Sequence, residues 1–145
     1  MAAESSGQAA AGLDHVGLAP LRVLALVPGD PGAPVTELIG PHPVVAHARA
    51  AAGALQYTVV TDEETATRCA GLPPGSELIV VPLWRVLPRG RAVSQRAAAR
   101  LQTGLACLSA VFGIPTAGAT PAWEVVHGWG LGGALPAAAA ARALG

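Results

Sequence analysis

Hydrophobic and polar positions along this chain fall into short apolar runs separated by longer mixed stretches. Leu21-Arg22-Val23-Leu24-Ala25-Leu26-Val27 is nearly all apolar and stops at Pro28-Gly29-Asp30-Pro31-Gly32. A short run bounded by turn residues in this way predicts a strand buried on both faces. Tyr57-Thr58-Val59-Val60-Thr61 and Glu77-Leu78-Ile79-Val80-Val81-Pro82 predict two more. Between the first two strands the pattern predicts a helix from near Pro34 to Ala52, kinked at Pro41/Pro43, with Gly53 as its C-cap. Residues 62–76 are acidic and then Pro/Gly-rich, which predicts a loop or small hairpin. Arg91 to Leu101 predicts a further helix, and Leu105 to Phe112 is another apolar segment. Val125-Val126 predicts a short strand before a glycine-rich turn, Gly128–Gly133, and Ala134 to Leu144 a terminal alanine-rich helix.

Strands alternating with helices predict an α/β fold with a mostly parallel sheet flanked by helices. Ligands of such sheets bind outside the carboxyl ends of the strands. That rule directs attention to the loops after Val27, Val81 and Leu101. The Ala/Gly/Ser-rich residues 1–19 read as a flexible leader, and residues 20–145 as a single domain.

Composition changes this picture in three places. Hydrophobic residues make up 52% of the chain, but with one Phe and one Tyr the core must rest on Val, Leu, Ala and the three tryptophans. All nine basic residues are Arg and there is no Lys or Asn, which points to a GC-rich bacterial genome. The formal net charge is zero. Arg85, Arg89, Arg91, Arg96 and Arg100 form the only cluster, and they read as a solvated helix and not as a nucleic-acid footprint.

Cys69 and Cys107 are too few for a disulfide framework and have no metal-ligand spacing, so a reducing cytoplasm is expected. Cys107 reads as a small core residue. Cys69, in a loop beside Arg68, is the thiol whose exposure the sequence leaves open. No basic-then-apolar signal sequence is expected at the N-terminus, and no apolar run is long enough to span a membrane. His42 and His47, five residues apart, do not share a helix face, so no metal site is read there.

The chemistry lies in Gln102-Thr103-Gly104, followed by Ala119-Thr120-Pro121-Ala122-Trp123. This pair resembles the nucleophile turn of the ThiJ/PfpI superfamily (class I glutamine amidotransferase-like), in the version found as the N-terminal domain of AraC-type regulators. There a Cys-Thr-Gly turn is followed by Ala-Thr-Thr-His-Trp. Three further stretches match in the family's order. Val23 to Val27 with its Gly/Pro turn resembles the opening strand. Glu37, four residues before Pro41, resembles the first-helix acid of that family. Val80-Val81-Pro82-Leu83-Trp84-Arg85 resembles the Val-Val-Pro-Ala-Trp-Arg of some AraC-type members. The segment after Pro82 and the one after Trp123 are shorter than in that family, and no helix-turn-helix pattern is read in residues 1–145, so DNA binding is not expected.

The resemblance implies a trimmed, flavodoxin-like domain with a strand-to-helix elbow at Gln102, and it implies a homodimer. Gln102 stands where the cysteine nucleophile would be and Ala122 where the histidine would be. Thiol chemistry is therefore not expected. The reading implied is a small-molecule-binding domain without the nucleophile and without a cofactor, a sensor or accessory protein in a regulatory or specialised-metabolite pathway. Its ligand would be a small hydrophobic molecule lined by Trp84 and Trp123 and held by the elbow N–H groups of Thr103 and Gly104. Neither nucleic acid nor membrane is expected as a partner. One alternative is a repurposed hydratase, lyase, isomerase or cyclase with Glu37 as acid/base and Gln102 holding a carbonyl. Another is an interaction partner of a larger regulator or enzyme. Leu13-Asp14-His15-Val16-Gly17-Leu18-Ala19 also resembles the first strand of vicinal-oxygen-chelate enzymes. The ligand-bearing strands that should follow are not recognisable, and the match reads as chance.

Overall fold

The computed structural model describes residues 19–29, 39–82, 93–113 and 123–144. Among them the chain order is β1 (Leu21–Val27), α1 (Pro43–Ala50), β2 (Leu55–Asp62), α2 (Glu63–Ala66), a 3-10 turn (Thr67–Cys69), β3 (Glu77–Val81), α3 (Val93–Gly113), β4 (Val125–Gly128) and α4 (Gly130–Leu144). The strands form one sheet in the order β3-β2-β1-β4, and every pairing is parallel. This is the α/β arrangement the alternating pattern calls for, an all-parallel sheet flanked by helices and consistent in that respect with a flavodoxin-like fold. Its third strand lies outside β2, so the chain steps from β1 to β3 in one direction and returns to lay β4 on the other side of β1.

Both faces of the sheet are covered. Val23, Ala25 and Val27 of β1 join Tyr57 and Val59 of β2 beneath Val44, Val45 and Ala48 of α1. The alternate residues Leu24, Leu26 and Val60 pack under Cys107 and Val111 of α3 and Ala137 and Ala140 of α4. Burial of successive residues on opposite faces is why β1 reads as an unbroken apolar run. Both cysteines are buried. Burial raises the Cys69 thiol to about 11 and the Cys107 thiol to about 12, so neither is an active thiol at neutral pH. No helix among the described residues is long and apolar enough to cross a membrane.

Local chemistry explains where the elements differ from expectation. The expected stretch from Pro34 to residue 38 lies outside the described residues; among the described ones the helix runs Pro43–Ala50, with proline in its first turn and the His42 Nδ1 accepting from the Val44 N–H at 3.2 Å. The acidic stretch after β2 is a helical turn and not a hairpin, because Asp62 caps it and Glu63 and Glu64 sit in its first turn. The elbow at Gln102 is absent. Residues 93–113 form one continuous helix of 21 residues. Its one interior glycine, Gly104, costs about 1 kcal/mol in helix propensity, too little to break a helix packed on the sheet. The last helix starts at Gly130 and not at Ala134, and it contains Pro136.

Candidate functional site

A parallel sheet that reverses its winding direction leaves a crevice at the carboxyl ends of the strands on either side of the reversal. Here those strands are β1 and β4. Three groups meet at that edge: the turn after β1, the N-terminal cap of α2, and the glycine-rich turn between β4 and α4.

The first two are locked together by Asp62, the last residue of β2. Asp62 is fully buried. Its Oδ1 accepts from the N–H groups of Glu64 and Thr65, both at 3.0 Å. Its Oδ2 accepts from the Thr65 hydroxyl at 3.1 Å and from the Gly29 N–H at 2.5 Å. Beside it the Thr61 hydroxyl donates to the Val27 carbonyl at 2.7 Å. A carboxylate so fully engaged with its own backbone is a clasp and not a reactive group. It also explains the glycine at position 29, where a Cβ would lie 2.5 Å from Thr65 Oγ1 and 2.7 Å from Asp62 Oδ2.

The third group is Gly128-Trp129-Gly130-Leu131-Gly132-Gly133, a Gly-x-Gly-x-x-Gly series that leaves a strand and opens a helix. In phosphate-binding turns of this spacing the first glycine permits the tight turn. The second lets a ligand approach the backbone, and the third lets the helix close on the strand. Each position has the matching geometry here. A Cβ on Gly128 would collide with the carbonyl of Gly133. Gly130 has φ 66° and open space where its Cβ would be. A Cβ on Gly133 would lie 2.8 Å from the Leu26 carbonyl oxygen of β1. The Trp129 N–H donates to that same carbonyl at 2.9 Å, tying the turn to the end of β1.

On the α1 side of this edge the Trp129 ring gathers three of the four histidines. His127 stacks on it at 4.7 Å between ring centres, with His42 edge-on at 5.6 Å and His47 edge-on at 6.1 Å. The indole Nε1 is buried and has no acceptor among the described residues. No set of three His, Cys, Asp or Glu among the described residues could hold a metal ion.

Burial, with a smaller contribution from the Arg68 charge, lowers the His42 imidazole from its ordinary 6.5 to about 4. Its Nδ1 must stay unprotonated to accept from Val44. Between these two values the unfolded chain takes up a proton that the folded one refuses, so stability rises with pH across that window and is lost as pH falls through it. After discounting for solvent around a half-buried ring, the loss is about 1–2 kcal/mol. Urea unfolding at pH 4.5 and pH 7 is expected to show it. His42→Asn, which keeps an N-cap acceptor without the titration, is expected to remove that part of the difference.

Of the residues picked out in the sequence, the structure describes Gln102, Thr103, Gly104 and Trp123. Glu37, Trp84 and Ala122 lie outside the described residues, as does His15. Gln102, Thr103 and Gly104 sit in the interior of α3, not on a strand-to-helix turn. The backbone N–H groups of Thr103 and Gly104 therefore serve the helix ladder and not an oxyanion. The Thr103 hydroxyl donates to the Ala99 carbonyl at 3.0 Å. Gly104 is covered by α4, where a Cβ would lie 2.5 Å from the Gly132 carbonyl oxygen. The loop expected after Leu101 is likewise helix. Trp123 precedes β4 at the opposite, amino edge of the sheet, and packs on the α3 and α4 side of the core. Sequence reading missed Asp62, Trp129 and the roles of Gly130 and Gly133. The spacing of the glycines after an apolar strand was the available signal. Set against protein-family models, curated proteins and solved structures, the chain matches none of them.

Proposed function

We propose that this chain is a small-molecule-binding α/β domain whose ligand carries a phosphate or similar anion, as nucleotides do, bound at the Gly128–Gly133 turn. The observation that carries this reading is the agreement of the three glycines with their roles: tight turn at Gly128, open backbone at Gly130, close helix-to-strand packing at Gly133. The first-turn N–H groups of a helix have no intrahelical acceptors, and the helix dipole favours an anion there. The Trp129 ring of this turn packs against His42, His47 and His127, and its buried Nε1 has no acceptor among the described residues. Both cysteines are buried and Gln102 lies inside α3, which supports a role without thiol chemistry. A sensor or accessory role related to the trimmed ThiJ/PfpI domain remains part of the proposal.

The test uses ADP and inorganic pyrophosphate with paired variants at Gly130. Asn and Asp are the residues that best tolerate its left-handed conformation. Calorimetry is expected to show binding to the wild type, retention within a few-fold by Gly130→Asn, and a loss of at least about tenfold in Gly130→Asp, where a carboxylate faces the anion. Equal affinity in the two variants would place the ligand elsewhere.

A further inference from the structure

The outer face of the α3 and α4 pair has the composition of a protein interior. On α3, Leu101 is 51% exposed, Leu105 52% and Phe112 59%. Half-buried Leu108 completes a stripe spaced by four, three and four residues, the spacing of one helix face. Gly104, one step round the helix, meets Gly132 and Pro136 of α4. The stripe therefore runs along the outer seam between the two helices. On α4 the neighbouring Leu135 is 71% exposed, and the other outward residues from Ala134 to Ala141 are alanines. No charged residue occurs on α3 after Arg100 or on α4 before Arg142. Surface helices ordinarily carry charge on the side away from the core. An uncharged apolar face of this extent marks a contact surface.

We infer that this face is covered by a second copy of the same chain, docked by two-fold symmetry. Three observations select that occupant. The α3 stripe reads the same in both directions, as a self-complementary contact requires: with the helices antiparallel, Leu101 of one copy lies opposite Phe112 of the other, and Leu105 opposite Leu108. Arg100 of one copy then lies opposite Gly113 in the last turn of the other copy's α3, whose carbonyls carry partial negative charge. Finally, the uncharged stretch of α3 from Leu101 to Gly113, about 20 Å long, and α4 beside it, about 10 Å away, offer roughly 400 Å² per copy, the size of a small, self-complementary interface. The alanines of α4 allow the two helix pairs to approach closely, forming a four-helix layer between two sheets. A membrane surface would instead call for a basic rim along the apolar face, which neither helix supplies between Arg100 and Arg142.

Sedimentation equilibrium of the full chain over a concentration series tests this. The wild type is expected to sediment at twice the monomer mass. Leu105→Glu and, on the other helix, Leu135→Glu are each expected to weaken association at least about a hundredfold with unchanged circular dichroism. Ala50→Glu, on α1 across the sheet, is expected to remain dimeric. A wild type that stays monomeric throughout overturns the inference, whether or not it floats with phosphatidylglycerol vesicles. So does a dimer that both glutamate variants leave intact.

Discussion

Replacing Asp62 with alanine is expected to cost the domain about 3–5 kcal/mol, a large share of the roughly 5–15 kcal/mol that holds a domain folded. The cost follows from what the carboxylate holds. It removes the cap of α2, worth about 1 kcal/mol. It strands the buried N–H and hydroxyl of Thr65, each costing about 1–3 kcal/mol where water cannot reach, and releases the part-buried Gly29 N–H, which water can partly satisfy. At this chain length the melting temperature should fall by about 10–15 °C. Asp62→Asn keeps one acceptor for the cap but presents an amide donor to a donor on the other side, so it should lose about half as much. Denaturant unfolding of the two variants checks the order. A loss under about 1 kcal/mol for alanine would mean that the turn after β1 is not held by this clasp.

Gly104→Ala is the second large effect, and its sign is diagnostic. In an exposed helix this change is stabilising by about 1 kcal/mol, and on a solvent-facing turn it would be tolerated unless φ is positive. Within α3 the new Cβ meets the Gly132 carbonyl oxygen at 2.5 Å and the Pro136 Cγ at 2.9 Å. The first of these is backbone and cannot swing aside. Pro136 donates no N–H to that carbonyl four residues back, which leaves the oxygen facing α3. Overpacking of this kind costs about 1–3 kcal/mol and outweighs the propensity gain. A net loss of about 1–2 kcal/mol in thermal or urea unfolding is expected. A gain in stability would place Gly104 away from α4.

The parts of the fold that were legible in the sequence are those whose burial is two-sided. Val23 to Val27 and Val59-Val60 are apolar at consecutive positions because helices cover both faces, and no helix period imitates that over so short a run. The stretch after Asp62 is hard to read because a capping aspartate and the glutamates that follow it have the composition of a loop. The Gln102 stretch is hard to read for a different reason. Gln-Thr-Gly is short, and glycine in mid-helix serves close packing as readily as it serves a turn. Only the position of α4 distinguishes the two. The Trp129 group was out of reach of sequence reasoning, since it joins His42 and His47 of the first helix segment to His127 at the far end of the chain. The glycine turn was visible as a turn. Its further meaning depends on β4 lying beside β1, which no local pattern states.

The central claim is that an anion-bearing small molecule binds at the carboxyl edge where α4 begins. The most direct test is to follow the backbone amide resonances of the uniformly 15N-labelled protein during titration with ADP, and separately with inorganic pyrophosphate. The account predicts saturable shifts concentrated at Gly130, Gly132 and Gly133 and at the Trp129 indole N–H, with α3 resonances beyond Gly104 unmoved. Shifts confined to the seam of α3 and α4, or no saturable shift with either ligand, would contradict it.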